Sequence, residues 1–172
     1  ACVESADKDI TTAEILTHVT IDGSTCEVVK IKFGAFYNCT KLEKVIIPNS
    51  ITEIGNHSFS NCTSLKNITI PNSVKTIEKE AFKGCTGLTE IVIPNGVTEL
   101  NSDLFSECSN LRNVVIPNSV NKIGNRAFEK CSNLQNIVIP NSVDTIGVAA
   151  FSRCIYNHRT TKTNQKYPSV NL

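Results

Sequence analysis

Apolar and polar positions follow one pattern that returns every 23 residues along the chain. The unit reads L-x-x-[IV]-x-I-P-N-[SG]-[IV]-x-x-[IL]-x-x-x-[SAL]-F-x-x-C-[TS]-x, with copies starting at Leu42, Leu65, Leu88, Leu111 and Leu134. Its opening alternates apolar residues with others at period two, which predicts a short strand with one inward face. Proline then ends the strand, because it has no amide for a further ladder bond. The Asn-Ser or Asn-Gly that follows predicts a turn. Asn49, Asn72, Asn95, Asn118 and Asn141 would lean inward there as a ladder of amides serving unpaired backbone groups. Ile51 and Ile54, with their equivalents, predict a second short extended segment on the opposite wall. The step from Ala-Phe or Ser-Phe to Cys and back to Leu predicts a turn of helix or 3₁₀ that closes the coil.

Three residue types hold the interval together. Phe36, Phe59, Phe82, Phe105, Phe128 and Phe151 keep it, as do Cys39, Cys62, Cys85, Cys108, Cys131 and Cys154, and Pro48 through Pro140. A single packed enzyme core has no reason to reuse one residue at one step, whereas a stack of identical units does. The chain therefore reads as an α/β-type solenoid. About seven interior side chains per coil contribute on the order of 10–20 kcal/mol gross. Conformational entropy offsets most of that, so no coil stands alone. An irregular first copy starts at Leu16: Leu16, Val19 and Ile21 fit the opening, and three extra residues intervene before Val28 and Ile31 resume the pattern. That gives six coils over residues 16–154, a cap or leading segment at 1–15 and a polar tail at 155–172, which reads as the frayed end of a longer array.

Function in such a stack belongs to the outward columns. On the opening strands one column runs His18, Lys44, Asn67, Glu90, Asn113, Asn136, and its neighbour Thr20, Ile46, Thr69, Val92, Val115, Val138. A flanking column is Thr17, Glu43, Lys66, Thr89, Arg112, Gln135. A β-branched stripe suits any exposed sheet face, and it equally suits a protein-binding face flanked by charge. It carries no aromatic anchor of the kind that concentrates binding energy.

Composition narrows the classes. Charge is balanced at +1, with 17 basic and 16 acidic residues, so nothing draws the chain to nucleic acid or anionic membrane. No apolar run reaches the ~20 residues of a membrane helix. Six of the eight cysteines belong to the ladder and read as small buried hydrophobes. Their spacing is unlike that of zinc ligands. Cys2 and Cys26 stand outside the ladder and are candidates for a disulfide, which would place the protein outside the cytosol. Asn38, Asn56, Asn61 and Asn67 begin glycosylation sequons, about as many as chance supplies in so Asn-rich a chain. No nucleophile elbow, phosphate loop or paired carboxylate column is present, so no enzyme, cofactor or metal is expected.

The runs L-x-x-I-x-I-P-N-S-V and I-G-x-x-A-F-x-x-C-x-x-L, clearest in residues 122–143, resemble the BspA-like, or Treponema-type, leucine-rich repeat. Departures are the insertion near Asp22–Glu27, Glu78 and Asn101 in the usual Gly position, Leu104 in the Ala position, and the broken end. The resemblance implies a right-handed coil of about six 23-residue repeats with a parallel sheet on the concave side. It also implies a surface or secreted protein that binds host extracellular matrix or cell-surface protein through that sheet. An intracellular scaffold using the same face is the alternative.

Overall fold

The computed structural model describes residues 2–3 and 6–154, without the side chains of Cys2, Val3 and Asn136; the segment 155–172 lies outside the described residues. Strands of two to four residues make up its regular structure. In one wall of the coil Glu90–Val92, Asn113–Val115 and Asn136–Ile137 pair in parallel, Ile91 facing Val114 and Val114 facing Ile137. Lys44–Ile46 belongs to the same wall and pairs with Thr12–Glu14. In the second wall Val3, Ile31, Ile54 and Ile77 lie in one row, and Leu100, Ile123 and Ile146 in another. From Lys30 onward, each pairing joins residues 23 apart, so each coil lies in register on the last.

The interior is built of rows. Successive ladder phenylalanines stack with ring centroids 5.0–5.6 Å apart and interplanar angles of 3–16°. Centroids that far apart in near-parallel rings mean offset stacking, which the ring quadrupole favours over a face-to-face sandwich. The thiols form the adjoining row. Cys62, Cys85, Cys108, Cys131 and Cys154 each donate to the carbonyl of the phenylalanine 26 residues earlier, at 3.0–3.1 Å. A cysteine is thus small enough for the column and polar enough to engage a carbonyl inside it.

Three expectations are corrected. The α/β reading fails because there is no helix among the described residues. The segment around each phenylalanine is a chain of tight turns in which amides alternate in direction. Those of Ser58, Ser60 and Cys62 donate three residues back, while those of His57, Phe59 and Asn61 donate to Lys79, Ala81 and Lys83 of the next coil. Two left-handed residues per coil reverse the peptide planes. One set is His57, Glu80, Asp103, Arg126 and Ala149; the other is Asn38, Asn61, Glu107, Lys130 and Arg153, with Gly34 and Gly84 filling the remaining places. Left-handed geometry costs a non-glycine residue about 1–2 kcal/mol, and the bonds it directs along the stack offset that cost.

The Asn ladder is also not inward: Asn49, Asn72, Asn95, Asn118 and Asn141 are all exposed. The next residue does the inward work. The hydroxyls of Ser73, Ser119 and Ser142 donate at 2.7 Å to the carbonyls of Ile51, Val97 and Val120 in the preceding coil. Finally, the strand that stacks on Lys44–Ile46 is Thr12–Glu14, not the segment opening at Leu16. His18–Ile21 instead forms an antiparallel hairpin with Ser24–Glu27. Thr12 precedes Lys44 by 32 residues and Val28 precedes Ile51 by 23, so nine extra residues replace the Pro-Asn-Ser corner of that coil with the hairpin.

Candidate functional site

The opening-strand wall offers an ordered exposed surface because its strands alternate strictly. In Lys44–Ile46, Glu90–Val92 and Asn113–Val115 the central residue is buried and the outer two are exposed. The inward side chains Val45, Ile91 and Val114 join the core, which fixes where their neighbours point. Lys44, Asn67, Glu90 and Asn113 therefore form one exposed row and Ile46, Thr69, Val92, Val115 and Val138 another. The side chain of Asn136 lies outside the described residues, though its backbone continues the first row. At the N-terminal end Thr12 and Glu14 hold the places expected for His18 and Thr20, since Thr12 faces Lys44 and Glu14 faces Ile46.

The apolar row is exposed to a notable degree: Ile46 46%, Val92 60%, Val115 56% and Val138 63%. Thr69 interrupts it. The strand pairing of this wall is interrupted in the same coil, where the backbone of 67–69 forms no ladder bridge. Glu43, Lys66, Thr89, Arg112 and Gln135 are exposed along one flank. The outward asparagines after each proline add an amide column that sequence reasoning had assigned to the interior. Only one signal could have shown this: Ser follows Asn in four of the five corners, and a hydroxyl is the smaller inward donor.

The thiols offer no chemistry on this surface. Burial pushes the Cys85 thiol up to about 12 and that of Cys154 to about 11, and raises Cys62, Cys108 and Cys131 well above the usual range. A thiol held neutral and enclosed is a poor nucleophile. Cys26 carries a free thiol, half-buried in the hairpin, while the side chain of Cys2 lies outside the described residues. Among the described residues no three His, Cys, Asp or Glu side chains converge as metal ligands, and no helix is long and apolar enough to cross a membrane.

A model of the BspA-type leucine-rich repeat region matches residues 29–158 in six copies. The chain belongs to that family. Among solved structures, a leucine-rich cell surface protein of Faecalibacterium prausnitzii is 34% identical over 85% of this chain and 46% of its own, with a TM-score of 0.66. A leucine-rich repeat protein of Bacteroides ovatus is 32% identical, covering 84% of this chain and 44% of its own, at 0.72. That of T. pallidum is 29% identical, covering 86% and 78%, at 0.73. The chain thus spans less than half the length of the first two. No curated protein matches it. Repeats of this family are typically protein-interaction modules without enzymatic activity.

Proposed function

We propose that this leucine-rich repeat chain is a non-enzymatic recognition module of a cell-surface or secreted protein. In this reading it binds host extracellular-matrix or cell-surface protein through the opening-strand wall. The supporting observation is the row of exposed Ile46, Val92, Val115 and Val138 on strands whose intervening residues are locked in the core. A pre-ordered surface loses little entropy on binding, and many modest contacts then sum without any aromatic anchor. Lys44, Asn67, Glu90, Asn113 and Asn136 supply polar contacts beside the row, and Thr69 sits within it. The resemblance to a protein described as a cell surface protein supports the location.

The test is surface plasmon resonance against a panel of purified matrix proteins, comparing the native chain with the double variant Val92→Glu, Val115→Glu. Two charges placed on the apolar row should reduce affinity at least about a hundredfold while the melting temperature stays nearly level. Unaltered affinity for a captured matrix protein would remove the strand wall as the site. Counting thiols in native material separates this reading from the intracellular alternative, because a Cys2–Cys26 bridge belongs to an oxidising compartment and eight free thiols to a reducing one.

A further inference from the structure

Hydrogen bonds tie each coil to the last at the serine corner, along both walls and along the phenylalanine segment, and most of these ties lapse together at one boundary. It lies between coil 65–87 and coil 88–110. At the corner Ser73, Ser119 and Ser142 donate to the preceding coil, but Gly96 holds this place in coil 88–110 and has no hydroxyl to offer the Val74 carbonyl. On the second wall the amides of Gly55, Glu78, Gly124 and Gly147 reach the carbonyls of Ile31, Ile54, Leu100 and Ile123. Asn101 stands in that position at the boundary, and its side-chain Nδ2 meets the Ile77 carbonyl instead, at 2.7 Å. No strand pairing joins Thr76–Ile77 to Glu99–Leu100, although the strands before and after them pair in sequence. The second wall parts there into an open depression whose lining includes Thr76, Glu78, Asn101 and Ser102.

The strand wall is loose at the same place. Among the described residues the backbone of 67–70 forms no hydrogen bond to either neighbouring coil. The tie that remains is Thr89, whose amide and hydroxyl both donate to the Lys66 carbonyl, at 3.0 and 3.3 Å. Of the hydrogen-bonded ties, that of the phenylalanine segment crosses the boundary intact. There the amides of Glu80, Phe82 and Gly84 donate to the carbonyls of Ser102, Leu104 and Ser106 at 2.8–3.2 Å. Phe82 also stacks on Phe105 at 5.6 Å, and Cys108 donates to the Phe82 carbonyl. The next boundary keeps every tie: the Ser119 hydroxyl, the Gly124 amide and the ladders of both walls. A boundary bonded along one edge and loosened along two walls has one soft motion, rotation about the bonded edge.

We propose that this boundary is a hinge, and that the coils up to residue 87 and those from residue 88 rock as two bodies about the phenylalanine row. The exposed row of the strand wall then forms two panels, Ile46 and Thr69 on one, Val92, Val115 and Val138 on the other, whose mutual angle adjusts to a bound partner. That use of the hinge rests on the strand wall being the recognition face. Native-state hydrogen exchange followed by NMR tests the hinge with no partner present, so its failure is distinguishable from failure of that reading. The Thr89 amide bonds across the boundary at 3.0 Å and the Arg112 amide across the next one at 2.9 Å, so a static stack protects them alike. With the hinge, Thr89 exchanges about tenfold or more faster than Arg112 relative to intrinsic rates, while Phe82 stays as protected as Phe59 and Phe105. The double variant Gly96→Ser, Asn101→Gly restores the corner hydroxyl and the backbone amide of the other boundaries. It should slow Thr89 to the Arg112 rate, although both changes lie off the strand wall. Equal protection of Thr89 and Arg112 in the native chain overturns the proposal, and this comparison stands whether or not the variant folds. A Thr89 that the folded variant leaves fast overturns it too, as does a Phe82 that opens together with Thr89.

Discussion

The ladder cysteines and three serines, Ser73, Ser119 and Ser142, perform the same task at two corners of the coil: each donates a hydrogen from a small side chain to a carbonyl of the coil before. The thiol row makes a pH-dependent contribution whose direction follows from its burial. A thiol with a folded pKa raised to about 12, as at Cys85 against an ordinary 9.0, stays protonated in the fold while the unfolded chain ionises. The unfolded state therefore holds fewer protons above pH 9, and stability falls as pH rises from there toward 12. The melting temperature should be level up to about pH 9 and decline beyond it, with a shallower decline in Cys85→Ala. That variant should cost about 1–3 kcal/mol in urea denaturation. Cys85→Asp, with a carboxylate in a sealed apolar row, should unfold the middle coils; a folded Cys85→Asp protein would show the row to be accessible. Serine and asparagine make a sharper pair. Ser119→Ala removes a 2.7 Å bond to the Val97 carbonyl and should cost about 1 kcal/mol. Asn118→Ala, on an exposed side chain, should stay within about 0.5 kcal/mol. Equal costs at the two positions would reverse the assignment of inward and outward residue at this corner.

At the scale of elements, the strands were readable from the chain because period-two alternation and proline report burial and hydrogen bonding directly. The closing segment was not, since Ala-Phe-x-x-Cys has helical spacing and nothing apolar distinguishes a helix from a run of turns. The distinguishing residues were polar: Asn38, Asn61 and Gly84 fall in one left-handed column, and Asn and Gly are the residues that enter that region most easily. The hairpin was also written in the chain. Asp22 and Gly23 have φ of 49° and 78°, the tight two-residue turn that Asp-Gly favours between paired strands. Leu16 fits the opening of the repeat by sequence, yet it is 61% exposed and holds no core position. The outward rows of the strand wall followed from alternation alone. Left-handed strain gives this scale its own prediction. Ala149 has φ of 55°, and glycine there should stabilise the last coil by about 1 kcal/mol, whereas valine should destabilise it by more. Thermal denaturation measures both; a destabilising Ala149→Gly would mean that the column carries no strain.

The molecule as a whole is held by contacts between neighbouring coils, so its stability is a sum over units and interfaces rather than the property of one centre. The rows of phenylalanine and cysteine serve every interface alike, and an interior coil is replaceable by its neighbour provided the interval is kept. Removing residues 111–133 joins Asn110 to Leu134 and deletes one 23-residue unit. All rows then close up by one coil, with Ile91 meeting Ile137 and Phe105 meeting Phe151. The shortened chain should fold cooperatively, with a urea m-value lower by roughly a sixth in proportion to the surface buried. Removing 111–132 is a smaller excision, yet it moves every later side chain one place out of register, turning inward positions outward along the period-two strands. That chain should lose the packing of its last two coils and begin to unfold at lower urea than the shorter deletion product. If both deletions were equally stable, the 23-residue register would not be what holds the coils together, and neither exposed wall would have a fixed geometry with which to recognise anything.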